Sequence, residues 1–328
     1  MVVSHANYLA SIGHEVSITT AEVNTVFYLN PRVSIVRLST VNKLATIFTA
    51  LTSRFPSDLV IADIIPMSCF TFIRNRRKVI YFAQDYDESY YTSVLLKRLV
   101  RFFYVMGLKF FRIPVIAVSK HLADRLSEHF DANVTVVENG VDTEKFFRDP
   151  DPELVESKEN RKSVILFSRK DHRKGFDIGC SVVTRLTESH RDMFEIWTVG
   201  EQSDGMFPGI VHRDFGYVGE EKLRQLFSSA DMFLYPSRHE GFGLMPLEAM
   251  ACRCPLVTTT AVPYAKHESN ALVAGVEDVE GLTGQSQRLL DDNALYLSLS
   301  DSGYRYVARH TLAESTRLFA GVCADMVQ

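Results

Sequence analysis

Cysteine is scarce in this sequence, and long hydrophobic runs are absent from it. The five cysteines include a close pair, Cys252 and Cys254, but no second pair or histidine cluster completes a zinc site. We therefore predict no metal site and reduced, mostly buried thiols, as in a cytoplasmic protein. No run of about 18 apolar residues predicts a transmembrane helix. The first residues also lack the charged and apolar regions of a signal peptide.

An excess of positive charge is missing as well. The chain has 36 basic and 40 acidic residues, which gives a formal net charge of −4. This balance lacks the strongly basic character of nucleic-acid-binding proteins, so we expect no nucleic-acid partner. The apolar fraction of 46% and the charged fraction of 23% are ordinary for a globular protein with large cores. A length of 328 residues favours two domains.

Apolar runs alternate with helical patterns along most of the chain, which is typical of a parallel sheet flanked by helices. In the first half, strands are predicted at 15–20, 33–38, 58–62, 78–82, 114–118 and 134–137. The polar stretch 148–162 has the composition of a linker. A second alternating series runs from residue 163 to about 300, and a last helix is predicted at 303–327. We expect an α/β chain of two domains with a ligand cleft at the carboxyl ends of their strands.

The beginning of the sequence departs from this scheme. A doubly wound domain ordinarily starts with a central strand and a Gly-rich turn before its first helix. Here Met1–Ser4 already belong to a helical pattern. A sheet without its first strand would expose the edges of two neighbouring strands. A shortened chain, a misplaced start and a real variant are all compatible with this expectation.

A Gly-rich turn between two apolar runs is the most informative local pattern. The runs are 232–235 and 255–257, and Gly241 and Gly243 lie between them. Glycine allows positive φ and a close approach of a ligand to the backbone. A helix that opens near Pro246 tolerates proline in its first turn. The free N–H groups and the dipole of such a helix suit an anion, for example a diphosphate.

Two carboxylates bracket this turn. Glu240 precedes the predicted helix and Glu248 lies about one turn inside it. A carboxylate at the second position can accept hydrogen bonds from a vicinal diol, as an acid does for ribose in dinucleotide-binding folds. The alternative is a buried turn with solvated acids, since Gly-rich turns before helices are common.

The segment 236–257 resembles the E-x7-E motif of glycosyltransferase family 4 (glycosyl transferases group 1), whose members have the GT-B fold of two Rossmann-like domains. The family pattern is close to P-S-x-x-E-G-F-G-L-x-x-L-E-A-M-A-C-G-x-P-V-V, and the clear departure is Arg253, where the family usually has Gly. Segments 168–175, 138–146 and 7–16 resemble further motifs of the same family. The resemblance implies a GT-B chain with an acceptor domain at 1–148, a donor domain at 149–302 and a helix at 303–328 that crosses back.

The resemblance also implies a donor site. Arg169 and Lys174 would be the donor-phosphate cations, and Glu240 would contact the sugar or its leaving end. These three residues are the predicted catalytic residues. The predicted donor-binding residues are Arg169, Lys174, Gly241, Phe242, Gly243, Leu244 and Glu248. Without this context, the two cations would be interpreted as solvated loop charges.

The predicted acceptor-side residues are Gln84, Asp85 and Asn139. Many family members have a His-Asp pair where Gln84 and Asp85 stand here. Glutamine hydrogen-bonds a sugar hydroxyl but does not titrate. The surrounding Y-F-x-Q-D-Y form resembles a subset that includes rhamnosyltransferase-like enzymes. The alternative for this segment is a capped loop with stacked tyrosines.

The function implied by the resemblance is transfer of a sugar from a nucleoside diphosphate sugar to a saccharide or lipid-linked acceptor. The expected setting is the synthesis of bacterial cell-surface polysaccharide or glycan. Retention of anomeric configuration and independence of metal and cofactor are family expectations. Two alternatives stay open: a nucleotide-sugar-binding pseudo-enzyme or subunit, and another enzyme with two Rossmann-like domains, such as a sugar phosphorylase or an epimerase.

Aromatic and cationic residues are mixed in the segments 95–103 and 109–112. One interpretation is an amphipathic helix lying on an anionic membrane, which would make the protein peripheral on the inner face of that membrane. The other is a core helix whose cations extend their charged ends to solvent.

Overall fold

The chain forms two compact units. The first comprises Met1–Asn139 and Leu312–Gln328, and the second comprises Gly140–Thr311. The structure is a computed structural model that describes residues 1–23, 28–37, 43–76 and 78–327, without the side chains of residues 43–45. No helix within these ranges is both long and apolar enough to span a membrane. The functional domain limits given above, 148 and 302, stay a prediction.

The first unit alternates strands and helices. Its strands are β1 (Val16–Thr20), β2 (Val33–Arg37), β3 (Val60–Ala62), β4 (Val79–Ala83), β5 (Val115–Ala117) and β6 (Val134–Val136). Its helices are α1 (Val2–Ser11), α2 (Lys43–Thr52), α3 (Ile65–Arg74), α4 (Val94–Tyr104), α5 (Lys120–Phe130) and, from the far end of the chain, α12 (Leu312–Val327). The predicted strands are confirmed with small shifts at their ends, except that residue 38 lies outside the described residues.

The strands of the first unit form two parallel sheets. One has the order β1-β2 and the other the order β3-β4-β5-β6. Among the described residues, β1 pairs only with β2 and β3 only with β4. β4 is buried along its whole length, whereas β1 and β3 are partly exposed. The described strands of the first unit therefore do not join into one continuous sheet.

The second unit contains the remaining elements. Its strands are β7 (Lys162–Ser168), β8 (Phe194–Gly200), β9 (His212–Asp214), β10 (Met232–Tyr235), β11 (Leu256–Thr259) and β12 (Leu272–Ala274). Its helices are α6 (Pro152–Ser157), α7 (Phe176–His190), α8 (Glu220–Ser229), α9 (Leu244–Ala251), α10 (Val279–Asp291) and α11 (Asn293–Val307). β10, β11 and the helix between them match the predicted strand–turn–helix–strand segment.

The strand order of the second unit's sheet changes direction between β7 and β10. Its parallel strands have the order β12-β11-β10-β7-β8-β9. β7 and β8 are buried almost throughout, because helices cover both faces of such a sheet. The chain runs outward one way from β7 and the other way from β10. Ligands of open α/β sheets bind at the carboxyl ends of the strands at such a switch point. Here the loops 169–175 and 236–243 follow those two strands.

The predicted linker 148–162 is wrong, because this segment packs on the second unit. It contains α6, which Asp151 caps by accepting hydrogen bonds from the backbone of Glu153 and Leu154. The ammonium of Lys158 is buried, 2.7 Å from Asp231. The polar residues of this segment therefore serve as caps and ion-pair partners rather than as solvated linker residues.

The single helix predicted at 303–327 is also wrong, since α11 ends at Val307 and α12 begins at Leu312. The break carries a parallel bridge between Thr311 and Val141, and the carbonyl of His310 accepts from the N–H of Val141 at 3.0 Å. This tertiary contact overrides the helical pattern. α12 then packs in the first unit, where Phe319 stacks on His5 of α1 with ring centroids 3.9 Å apart.

The predicted free thiols are confirmed. All five cysteines are unpaired, and four of them are buried. Burial raises the pKa of the Cys252 thiol to about 12. These thiols behave as small apolar side chains of the cores.

Candidate active site

The loops that follow β7 and β10 are held against each other. The N–H of Arg238 donates to the carbonyl of Arg173 at 2.7 Å. Gly175 ends the first loop at a φ of +68°, and a Cβ atom there would lie 1.9 Å from the carbonyl oxygen of Pro236. Only glycine fits such an approach. The close contact places Lys174 directly beside the second loop.

Glu240 is the buried carboxylate of the second loop, with 8% of its surface exposed. Its Oε1 accepts from Lys174 Nζ at 2.8 Å and from the hydroxyls of Tyr235 at 2.5 Å and Ser237 at 2.8 Å. Its Oε2 accepts from Lys174 at 3.1 Å and from no other donor in the described part of the chain. Oε2 therefore has room to accept a hydrogen bond from a ligand hydroxyl.

Arg169 carries an uncompensated charge. Its guanidinium lies 3.7 Å from the Sδ atom of Met245 and 5.7 Å from the ring centre of Phe167. Within the described ranges, no carboxylate lies within ion-pair distance of it. Met245 belongs to the first turn of α9, so Arg169 places a free positive charge at the beginning of that helix. An anion at this end would meet both the guanidinium and the helix dipole.

The first turn of α9 opens on Gly243, which has a φ of +89° and no side-chain cap. The hydroxyl of Tyr264 donates to the carbonyl of Gly243 and fixes the turn. Leu244 follows as the first helical residue, and its N–H has no intrahelical partner. Phe242 is buried against Tyr264, with ring centroids 5.0 Å apart. Phe242 thus offers a ligand only its backbone, while Gly241 lies partly exposed in the turn.

Glu248 lies in the second turn of α9 and is partly exposed. Burial raises the pKa of its carboxyl to about 7, with a smaller contribution from Glu220 that Arg169 opposes. At neutral pH this acid is therefore divided between its two protonation states. A hydroxyl donor from a ligand favours the ionised state, as hydrogen bonds to a carboxylate do.

Glu248 makes the folded protein less stable as pH rises. Because its folded pKa of about 7 lies above the ordinary value of 4.5, the folded chain binds more protons than the unfolded chain between these values. We expect Glu248→Gln to raise the free energy of unfolding by about 2 kcal/mol at pH 8. The gain should shrink as pH falls and vanish near pH 4.5. Urea denaturation across this range measures it, with the exposed loop residue Glu144→Gln as control. Parallel curves for the native protein and Glu248→Gln would contradict the assignment.

An open depression of about 430 Å³ lies next to the first loop and is lined by Gly200, Gln202, Asp204, Asp214, Phe215, Gly216 and Tyr217. Glu201 joins the two features, because its carboxylate accepts from the N–H of Lys170 at 3.0 Å. The two loops 169–175 and 236–243 and the first turns of α9 are called the switch-point site, and the depression continues this site along the carboxyl end of β8. Its lining combines the aromatic side chains of Phe215 and Tyr217 with the carboxylates of Asp204 and Asp214.

The predicted acceptor-side residues lie in the first unit. Gln84 and Asp85 follow β4, and Asn139 follows β6, so the three lie at the same edge of the four-stranded sheet. Asn139 is buried, and within the described residues its Oδ1 has no hydrogen-bond partner. Asp85 accepts from the N–H of Tyr86 at 2.7 Å.

Stacked tyrosines support the loop that carries Gln84. Tyr86 stacks on Tyr104 at 5.1 Å, and the hydroxyl of Tyr104 accepts from the N–H of Asp87 at 2.8 Å. The carboxylate of Asp87 caps α3 by accepting from the N–H of Ile65 at 2.7 Å. Burial raises the pKa of the Asp87 carboxyl to about 7, although hydrogen bonds from the N–H of Ile65 and the hydroxyl of Tyr81 oppose the rise. The capped loop is therefore present, whatever role Gln84 has.

Sequence reasoning missed the two hydroxyls that hold Glu240. Ser237 belongs to the P-S-x-x-E pattern, three residues before the acid, so its position was a usable signal. Tyr235 is the last residue of β10 and reads as an ordinary core residue of a buried strand. Only the fold shows that its hydroxyl donates a hydrogen bond to Oε1 of Glu240.

Sequence comparison identifies relatives over most of the chain. Residues 161–292 match the model described as "Glycosyl transferases group 1", and residues 1–145 match "Glycosyltransferase Family 4". The lipopolysaccharide core biosynthesis mannosyltransferase LpsB of Rhizobium meliloti is 25% identical over 232 residues, 62% of this chain and 64% of that protein. The corresponding LpcC of Rhizobium leguminosarum is 29% identical over 219 residues, 59% of this chain and 58% of that protein. The chain thus spans less than two thirds of the length of these relatives.

Structure comparison agrees on the fold. Sucrose-phosphate synthase from Thermosynechococcus elongatus has a TM-score of 0.79 at 17% identity, covering 99% of this chain and 92% of that one. WaaG, a glycosyltransferase involved in lipopolysaccharide biosynthesis, has a TM-score of 0.73 at 17% identity, covering 98% and 94%. Anabaena HepE in complex with UDP and glucose has a TM-score of 0.75 at 15% identity, covering 98% and 95%. By its two family matches and its GT-B fold, the chain belongs to glycosyltransferase family 4, the glycosyl transferases of group 1.

Proposed function

We propose that this chain transfers a sugar from a nucleoside diphosphate sugar to a saccharide or lipid-linked acceptor in bacterial cell-surface polysaccharide synthesis. The observation that carries the proposal is the switch-point site, where the unpaired Arg169 and the start of α9 lie beside the Lys174–Glu240 pair. The names of the relatives LpsB, LpcC and WaaG support the polysaccharide setting. The complex of HepE with UDP and glucose supports the donor class.

Each residue of the switch-point site has a separate role in the proposed reaction. Arg169 and the N–H groups at Gly243 and Leu244 stabilise the charge that grows on the leaving diphosphate. Lys174 holds Glu240 in place through both of its oxygens, and Oε2 of Glu240 binds a hydroxyl of the donor sugar. Glu248 accepts hydrogen bonds from the ribose diol.

Positive charge from the protein serves here in place of a metal. Arg169 and the N-terminus of α9 supply the positive charge that a divalent cation supplies in other phosphate-transferring sites. We therefore propose transfer without metal or cofactor and, by family expectation, with retention of anomeric configuration. Gln84, Asp85 and Asn139 are proposed to contact the acceptor through hydrogen bonds from their polar side chains.

A turnover assay with a panel of nucleoside diphosphate sugars tests the proposal. We expect release of the nucleoside diphosphate that depends on an added saccharide or lipid-linked acceptor and persists in EDTA. Donor binding without release of the nucleoside diphosphate, whichever acceptor is added, would favour the nucleotide-sugar-binding pseudo-enzyme. Gln84 in the usual histidine position favours the same alternative. Phosphate-dependent cleavage of a disaccharide would instead identify a phosphorylase.

Loss of the Glu248 carboxylate is expected to weaken binding of the donor nucleotide. Glu248→Ala removes the acceptor for a diol, and we expect the Kd for a nucleoside diphosphate to rise about tenfold. Isothermal titration calorimetry at pH 8 measures the change. A deoxyribose nucleotide is the matched ligand control, since it should lose little on the substitution. Unchanged affinity for the ribonucleotide would remove Glu248 from the site.

A further inference from the structure

Helix α4 exposes a row of large apolar side chains. Leu95 is 76% exposed and Phe102 is 54% exposed, and Leu99 between them is exposed as well. Their spacing of four and three residues places them on one face of the helix. On the other side, Val100 and Tyr104 are buried in the core of the first unit. The core-helix interpretation therefore accounts for the inner side of α4 only.

Cations accompany this row. Lys97, Arg98 and Arg101 are exposed on α4. The π-helical turn that follows it, Val105–Phe110, leads to the exposed residues Lys109, Phe110 and Arg112. Together, the apolar residues Leu95, Leu99, Phe102 and Phe110 and these five cations are called the α4 surface.

The positive charge of the α4 surface is uncompensated. Residues 89–123 contain no Asp or Glu. None of the five cations forms an ion pair with a carboxylate of the described residues. The chain as a whole has a net charge of −4, so this surface is opposite in sign to the rest of the protein. A partner that fits it offers negative charge together with an apolar layer.

We propose that the α4 surface binds the face of a membrane that contains anionic lipid. An anionic bilayer offers phosphates to the guanidinium and ammonium groups and, just beneath them, the acyl boundary to the apolar row. A nucleic acid would satisfy the cations but leave the exposed leucines and phenylalanines in water. This proposal is independent of the proposed sugar transfer, because vesicle binding is measured without donor or acceptor.

Sedimentation with lipid vesicles tests the proposal. We expect the native chain to bind vesicles that contain phosphatidylglycerol at least tenfold more tightly than vesicles of phosphatidylcholine alone, and high salt should weaken the binding. Lys97→Gln/Arg98→Gln should lower the partition into anionic vesicles about 25-fold at low salt, at about fivefold per cation. Leu95→Ser/Phe102→Ser should lower it at least tenfold at any salt.

Matched variants elsewhere on the surface control for charge and hydrophobicity. Arg305→Gln/Arg317→Gln removes the same charge, and Leu297→Ser/Leu318→Ser removes exposed apolar residues from α11 and α12. Both pairs should bind vesicles within about twofold of the native chain. Equal binding to both vesicle types, or equal loss in the control pairs, would overturn the proposal. A dimer in size-exclusion chromatography that dissociates in Leu95→Ser/Phe102→Ser would also overturn the proposal, because the α4 surface would then bind a second copy of the chain. Thermal melting confirms that each variant is folded.

Discussion

Replacing Arg169 with alanine is expected to lower kcat by about 100- to 1,000-fold and to leave the melting temperature unchanged. The loss corresponds to removal of one preorganised positive group from a developing negative charge. Stability should not change, because the guanidinium is exposed and pairs with no described carboxylate. Steady-state kinetics with a saturating donor, together with thermal melting, separates the two effects.

The neighbouring residue provides the control for Arg169. Lys170 has the same charge one position away, but its side chain is 89% exposed and its ammonium pairs with Glu201 at 2.9 Å. Lys170→Ala should keep kcat within about threefold, as expected for an exposed ion pair of low energy. Arg169→Lys should recover only part of the activity, since an ammonium lacks the planar fork of a guanidinium. If Arg169→Ala retains native turnover, the cation that stabilises the leaving group lies elsewhere.

Replacing Lys174 with methionine is expected to reduce stability and turnover together. The buried Glu240 would lose its cation, and breaking such a pair at one partner typically costs 3–5 kcal/mol, here about 3 kcal/mol because Tyr235 and Ser237 still donate to it. The kcat should fall at least about 100-fold, since Glu240 then loses the contact that fixes its orientation. Scanning calorimetry of the second unit's transition and steady-state assays measure the two losses.

A double variant separates charge from shape at the same position. Lys174→Met/Glu240→Gln removes both charges of the pair, and we expect it to recover most of the lost stability while turnover stays low. Recovery of stability without activity would show that the ion pair is retained for the reaction. Equal instability of the single and double variants would contradict this, because the cost would then arise from packing around the methionine.

The sequence predicts the strands well, because buried parallel strands read as short apolar runs between polar segments. It fails where polar residues are ordered by distant partners. Residues 148–162 look like a linker, yet Lys158 is buried against Asp231. The helix predicted at 303–327 breaks because the carbonyl of His310 accepts from Val141. Local pattern contains no information about either contact.

The candidate site shows the same limit. The resemblance places Lys174 and Glu240 in one site, but not in contact with each other. They are 66 positions apart in the chain, and they meet because β7 and β10 are neighbours in the sheet. The resemblance assigns both side chains to the donor, which stays a prediction, and the structure adds a direct contact of Lys174 with both oxygens of Glu240. Arg169 is the cation of the site that forms no ion pair with a described carboxylate.

The packing of α12 on α1 determines the order in which the chain can mature during synthesis. The first unit contains both α1 and the residues from 312 onward, and the second unit is inserted between them in the sequence. Phe319 is synthesised only after the whole second unit, so the face of His5 that stacks on it stays uncovered until then. The second unit can therefore fold while the first is still incomplete. We expect a nascent chain to complete the second unit's sheet and its two loops before α12 covers α1, so that chaperones meet the exposed α1 in that interval.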